Sequence, residues 1–211
     1  MRNPPKKRLR RSMMFLNCQK PGLIRDPYIY KPDSIILDLE DAVAENQKDA
    51  ARYSLYHALR EIDYRGVERV VRINGLDTPH WKEDIRVCVA GGADTIRIAK
   101  TESARDVHVI EEHVLAAERE LGRPEGSTLL MAALESCSGV LNVLDICRSS
   151  ERLIGVALPS VDKGTHAPST VFWRLAALTS IGVRPVRLIP LPCQPLKYGT
   201  WGPKEFCTTD L

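Results

Sequence analysis

The stretch Ile35 to Ala50, IILDLEDAVAENQKDA, changes character twice along its length. Ser34 to Leu37 is an apolar run of the kind a buried parallel strand shows, because a strand covered on both faces carries continuous rather than alternating apolar residues. From Gln47 to Arg60, Ala50, Ala51, Leu55, Ala58 and Leu59 recur at three- and four-residue spacings, the period of a helix packed on one side. Between strand and helix stand Asp38, Glu40, Asp41 and Glu45. Helix capping and the positive end of a helix account for one or two acids at such a place. Four of them at the carboxyl end of a strand point to a site, since α/β enzymes keep their chemistry there.

Similar signals extend outward from this unit. Ser12 to Leu16 predicts a first strand, followed by a loop over Asn17 to Gly22. Val67 to Ile73 is β-branched and runs into the turn-rich Asn74-Gly75-Leu76-Asp77. Thr78-Pro79 predicts a helix start, with Thr as cap and Pro at the first helical position, and that helix runs to about Ala90 before Gly91-Gly92. Ala93 to Ile98 predicts a fourth strand ending at Lys100, Ser103 to Leu121 a helix, and Ser127 to Glu135 a fifth strand. Val140 to Ile146 belongs to a further helix, and Arg152 to Leu158 is the sixth strand. Six strands alternating with five helices imply an α/β fold, either a parallel barrel or a doubly wound sheet. The (β/α) TIM-type barrel is preferred. No Gly-rich phosphate loop follows the first or second strand, and polar candidates are spread over the ends of strands two to six rather than gathered at one switch point. The barrel is incomplete, with about six β/α units and an atypical tail.

Composition narrows the function classes. The chain has 211 residues, 44% hydrophobic and 27% charged, which is ordinary for a soluble globular protein and long enough for one substantial core. No run approaches the ~18 apolar residues of a membrane span, and Met13 to Leu16 is too short for a secretory signal, so a cytoplasmic protein is expected. Cysteines 18, 88, 137, 147, 193 and 207 form no paired metal motif and no dense disulfide framework; reduced structural thiols are expected. The net charge of +3 is uneven: residues 1–12 hold six Lys or Arg and no acid, whereas residues 13–158 carry 18 bases against 24 acids. A basic leader over 1–11 without interleaved aromatics, ahead of an acidic body, reads as a disordered, solvated arm and not as a nucleic-acid-binding one.

The chemical constellation is Asp38, Glu40 and Asp41, then Arg72, Lys100, Glu135 and, after the sixth strand, Asp162. Hard oxygen ligands without clustered His or Cys suit Mg²⁺, and an Arg beside them offers a bidentate grip on a carboxylate. Taken singly, these residues also have structural readings: Arg72 as partner of a neighbouring acid, Glu135 as a strand-end salt bridge. Their shared position at strand ends is what favours a site.

Longer motifs add a resemblance. Arg11-Ser12-Met13, Leu37-Asp38-Leu39-Glu40-Asp41-Ala42-Val43-Ala44, Lys48-Asp49-Ala50-Ala51-Arg52, Val71-Arg72-Ile73-Asn74-Gly75-Leu76-Asp77, Gly91-Gly92-Ala93-Asp94, Lys100-Thr101-Glu102-Ser103-Ala104, Ala133-Leu134-Glu135-Ser136 and Ser150 to Leu158 (SERLIGVAL) resemble, in unbroken order, the β chain of citrate lyase in the HpcH/HpaI aldolase-like family. The resemblance implies a Mg²⁺-dependent barrel that cleaves a citryl thioester on an acyl carrier protein into an acetyl thioester and oxaloacetate. It further implies a homo-oligomer working with acyl-carrier and transferase chains. Arg72 would bind the oxaloacetate carboxylate, Glu135 would contact substrate and metal, and Asp162, four residues beyond Leu158, would be the second metal ligand.

Three places depart from the family pattern: Leu16-Asn17-Cys18 stands for Val-Pro-Gly, Ile98-Ala99-Lys100 for Leu-Pro-Lys, and Pro159-Ser160-Val161-Asp162-Lys163 for Gly-Ala-Glu-Asp-Tyr. Beyond Leu158 the motifs stop. Residues 159–211 hold seven of the fourteen prolines and only three acids; Val171 to Ile181 could form a helix and Val183 to Ile189 a weak strand. A frameshift replacing the native carboxyl-terminal part is the reading this suggests. Two alternatives stand beside the citryl lyase: a non-catalytic remnant with open sheet edges, and a lyase for another acyl thioester such as malyl-CoA.

Overall fold

The structure is a computed structural model that describes residue 8, residues 10–158 and, as backbone, residues 187–190. Seven strands make one parallel sheet: β1 (Met13–Asn17), β2 (Ser34–Asp38), β3 (Glu68–Ile73), β4 (Thr95–Ile98), β5 (Leu129–Ala133), β6 (Leu153–Leu158) and β7 (Arg187–Pro190). Their spatial order is their chain order, β1 to β7. That order has no switch point, so it is the unrolled form of a barrel rather than of a doubly wound sheet. Among the described residues the sheet is open, with β1 and β7 as its edges.

The helices are α1 (Pro21–Ile24), α2 (Lys48–Glu61), α3 (Trp81–Gly91), α4 (Ala104–Glu120), α5 (Cys137–Leu141) and α6 (Val143–Arg148). Where a plain loop is expected after β1, Pro21 starts a short helix, its fixed φ suiting the first helical position. Thr78 does not cap α3: its hydroxyl donates to Gly75 O at 2.8 Å, closing a turn, and the helix begins at Trp81. Gly92 ends α3 in the left-handed region (φ 81°), donating to Cys88 O and Val89 O. Ser103 opens α4 with a reciprocal capping box to Asp106. The last expected helix divides at Asn142, whose side chain donates to Glu102 O at 2.9 Å. None of the described helices is long and apolar enough to cross a membrane.

Strand alternation gives the sheet two different faces. Ile35, Leu37, Val71, Ile73, Ile96, Ile98, Leu130, Ala132 and Val156 join Leu55, Leu59, Ile85, Val89, Ile110 and Val114 of the helices in one large core. Burying each of the Ile, Leu and Val side chains contributes roughly 1.5–3 kcal/mol. The opposite face, the inside of a barrel, holds a small apolar layer of Met13, Ile36, Val70 and Met131 with Phe15 against it. At the amino end of that layer Glu68, 1% exposed, accepts from Ser34 Oγ (2.6 Å), Thr95 Oγ1 (3.1 Å) and Arg10 Nε (2.6 Å). At its carboxyl end lie Asp38, Arg72 and Arg97.

Of the expected leader, residues 1–7 and 9 lie outside the described residues. Arg10 and Arg11 are bound to the body, Arg10 by Glu68 and Arg11 by Asp33 (2.9 Å), while Arg8 stands 3.8 Å from Asp94. In the tail, Arg187–Pro190 pairs with β6, overlapping the expected Val183 to Ile189 strand. The expected helix over Val171 to Ile181, and Asp162, lie outside the described residues.

Candidate active site

The sheet register itself assembles the site. Asp38 on β2 is level with Arg72 on β3, and Arg72 with Arg97 on β4, so three charged side chains form a row at the strand ends on the inner face. Arg72 donates Nε to Asp38 Oδ1 at 2.8 Å and Nη2 to Asp38 Oδ2 at 2.6 Å, the bidentate geometry that makes Arg–carboxylate pairs strong. Its Nη1 lies 2.8 Å from Glu40 Oε2. Burial opposes the Arg72 charge, but the Asp38 hydrogen bonds and the charges of Asp38, Glu40 and Glu135 outweigh it and raise its pKa.

Glu40 enters from the turn after β2. Its amide donates to Asp38 Oδ1 at 2.9 Å, and its carboxylate, 4% exposed, also lies 3.1 Å from Lys100 Nζ. Both Glu40 oxygens are ion-paired but accept no aligned hydrogen bond. Lys100 reaches back because it follows β4 in the left-handed region (φ 50°), a conformation that costs a non-glycine residue about 1–3 kcal/mol. Glu135, just past β5, is half-buried. Burial first, then the Glu40 charge, pushes its carboxyl above the ordinary carboxylate range, against the pull of Arg72 and Arg97.

Arg97 is different. It is 2% exposed, and its Nε and Nη1 find no hydrogen-bond partner among the described residues. Its guanidinium and that of Arg72 each lie 5.3 Å from the centre of the Phe15 ring. Burial and then the Arg72 charge pull its pKa down to about 10, against Glu135, Asp38 and Glu40, so it remains a cation at neutral pH.

Behind the row a buried network fixes the turn that carries Glu40. Lys48 Nζ donates to Leu39 O (2.8 Å), Glu40 O (2.8 Å) and Asn74 Oδ1 (2.7 Å). Asn74 Nδ2 donates to Leu39 O (3.1 Å) and Asp84 Oδ2 (2.7 Å), and Arg52 Nη1 to Asp84 Oδ1 (2.9 Å). Lys48 is 7% exposed, and Asp84 has no exposed surface. A signal for this network stands in the sequence: Lys48 and Arg52 lie four apart on the helix face that also carries Ala51 and Leu55.

Of the expected site residues, Asp38, Glu40, Arg72, Lys100 and Glu135 converge. Asp41 and Glu45 do not: both are exposed, and Glu45 pairs with His80 Nε2 at 2.5 Å. Position 162 is not among the described residues. The structural reading of Arg72 holds in part, since Asp38 occupies one side of its fork, whereas among the described residues Glu135 makes no ion pair. Arg97 escaped the sequence reading. Its signal was the alternation in Thr95-Ile96-Arg97-Ile98, which sets Arg97 opposite the two apolar residues.

The donor chemistry fits Mg²⁺. Glu135 is crowded by the charges of Glu40 and Asp41 and has no ion-pair partner among the described residues, and the buried Glu40 oxygens accept no hydrogen bond there. Among the described residues no three His, Cys, Asp or Glu side chains converge on one point. Mg²⁺ nevertheless needs only one or two carboxylates, because it keeps waters and substrate oxygens.

A family model described as HpcH/HpaI aldolase/citrate lyase matches residues 11–165, past Leu158 and across position 162. The chain is 49% identical over 158 residues to citrate lyase subunit beta of Leuconostoc mesenteroides subsp. cremoris, a match covering 75% of this chain and 52% of that one. It is 35% identical over 162 residues to an L-malyl-CoA/beta-methylmalyl-CoA lyase of Rhodobacter capsulatus, covering 75% and 51%. The chain thus spans about half the length of the curated relatives it matches. In fold it is similar to the citrate lyase beta subunit from Mycobacterium tuberculosis (TM-score 0.59, 24% identity, 85% and 77% covered). It is also similar to a citrate lyase beta subunit complexed with oxaloacetate and magnesium from M. tuberculosis (TM-score 0.53, 24% identity, 79% and 70% covered).

Proposed function

The chain belongs to the HpcH/HpaI aldolase/citrate lyase family, and from that premise we propose that it is a Mg²⁺-dependent carbon–carbon lyase cleaving a citryl thioester on an acyl carrier protein into an acetyl thioester and oxaloacetate. The observation that carries the reading is the convergence of Arg72, Glu40, Lys100 and Glu135 at the strand ends, within a stretch 49% identical to a citrate lyase beta subunit. Arg72 is the grip for the oxaloacetate carboxylate: Asp38 holds its Nε side, which orients the remaining donors on its terminal nitrogens. Glu135 and Asp162 would hold the metal. When bound, Mg²⁺ supplies Lewis-acid polarisation of the oxygen that becomes the oxaloacetate carbonyl.

In this reading a base removes the hydroxyl proton and the carbinol oxygen becomes the oxaloacetate carbonyl. The bond to the acetyl methylene breaks with its electron pair passing to the thioester enolate, which takes up one proton to become the acetyl thioester. Arg72 fixes the departing oxaloacetate half, and the Lys48 network keeps Glu40 against Arg72 and Lys100. The enzyme would act in the cytoplasm, as a homo-oligomer alongside acyl-carrier and transferase chains. The relative at 35% identity favours a second reading, a lyase for malyl-type thioesters.

The test is Mg²⁺-dependent release of oxaloacetate from a citryl thioester by the 211-residue chain, with Glu135→Ala as control. Release that disappears in the variant supports the assignment. A folded chain that releases none, or that releases glyoxylate from malyl-CoA instead, overturns it.

A further inference from the structure

Arg97 is a buried cation without a hydrogen-bond or ion-pair partner among the described residues. Its neighbours Thr95, Ile96 and Ile98 are all satisfied or apolar, yet Nε and Nη1 of Arg97 are enclosed and unbonded. A lone buried charge is among the costlier things a core can contain. The Phe15 ring at 5.3 Å compensates only in part, because it is shared with Arg72, whose like charge repels Arg97. Asp38, Glu40 and Glu135 act on Arg97 through space, and Asp38 and Glu40 are already bound to Arg72.

The inner face beside Arg97 is built from apolar and small side chains. Leu130 and Ala132 of β5 and Val156 of β6 belong to the helix-side core, so Met131, Ala133, Gly155 and Ala157 face inward. Met131 belongs to the apolar layer, and Ala133, Gly155 and Ala157 are small, buried and carry no polar side-chain group that could pair with Arg97.

We propose that Arg97 is a substrate-binding residue that takes a second carboxylate, next to the one gripped by Arg72, and so selects dicarboxylic over monocarboxylic 2-oxo acids. This rests on the citryl-lyase reading and sharpens it. A citryl thioester and oxaloacetate each carry two free carboxylates, whereas a malyl thioester and its 2-oxo product carry one. Two guanidiniums on either strand of the β3–β4 pair match the first kind of ligand. The bound carboxylate supplies the missing acceptor, so the cost of the lone charge in the empty protein becomes discrimination in the complex.

The experiment is calorimetric titration of the 211-residue chain, with Mg²⁺ present, using oxaloacetate and pyruvate, which differ by one carboxylate. The wild type should prefer oxaloacetate. Arg97→Met should weaken oxaloacetate by roughly 10- to 100-fold, the size of a lost charge-assisted contact, and leave pyruvate within about twofold. Arg97→Lys should retain part of the preference. The ligand-free Arg97→Met protein should melt higher than wild type, because a charge held for a ligand is removed. Equal weakening of both ligands, unchanged oxaloacetate binding, a wild type without the preference, or a lowered melting temperature with intact affinities would each overturn the inference. Turnover of citryl thioester with a preference insensitive to Arg97→Met would remove this inference alone; the preference without turnover would remove the lyase reading alone.

Discussion

Glu68→Ala tests whether the two polar ends of the inner face have different jobs. The Glu68 carboxylate, 1% exposed, accepts from Arg10 Nε (2.6 Å) and Nη2 (2.5 Å), from Ser34 Oγ (2.6 Å) and from Thr95 Oγ1 (3.1 Å). Arg10 has a side chain 9% exposed, and neither Ser34 nor Thr95 has exposed surface. Removing the acid strands a buried guanidinium, for a loss of about 3–5 kcal/mol. The two hydroxyls can turn towards other acceptors and should add no more than about 1 kcal/mol each. At roughly 2–4 °C per kcal/mol for a chain of this size, the guanidinium loss alone should lower the midpoint by about 6–20 °C.

Urea denaturation followed by circular dichroism measures the loss, and the Arg10→Met, Glu68→Met pair closes a double-mutant cycle. The double variant should recover at least about 2 kcal/mol relative to the sum of the singles, since it leaves no unpaired charge. Oxaloacetate binding by the remaining folded protein should stay within about twofold, because Ile36, Val70 and Met131 separate the two ends. A loss under about 1 kcal/mol, or strict additivity in the cycle, would refute the claim that Glu68 and Arg10 form one buried unit.

Lys48→Met keeps the length of the side chain but leaves Glu40 O and Asn74 Oδ1 without their Lys48 donor and Leu39 O with Asn74 Nδ2 alone; stability should fall by about 2–4 kcal/mol in urea titrations, and oxaloacetate binding should weaken as the Glu40 turn loosens. Glu135→Gln should melt above wild type at neutral pH. The Glu135 carboxyl is raised from its ordinary 4.5, so the fold favours its protonated form: its stabilising contribution is complete below 4.5 and is lost as pH rises through the raised value. Thermal melts across that range should therefore show the two proteins converging at acid pH and separating as pH rises; a constant offset would contradict the assignment.

Much of this protein was legible from spacing alone. Continuous apolar runs identify strands covered on both faces, the three- and four-residue period identifies helices, and their alternation gives the parallel α/β architecture. The gathering of Asp38, Glu40, Arg72, Lys100 and Glu135 followed from their places at strand ends, because parallel strands bring all those ends to one side. Local rules were weaker where two roles compete for one residue: Thr78 prefers the Gly75 carbonyl to capping α3, and Asp41 and Glu45 stay at the surface while Glu40 turns inward.

What only the tertiary structure decided is who faces whom. Alternation says that Arg72 and Arg97 each leave their strand on one face, but the Asp38–Arg72–Arg97 row depends on the register of three strands distant in sequence. Nor could spacing say that Asp38 would pair with Arg72 while Arg97 stayed alone, or that Arg10 would reach Glu68 at the opposite end. The physical reason is range: propensity and periodicity act over a few residues along the chain, whereas charge pairing and burial act over a few ångströms in space, and only the packed sheet makes those distances short.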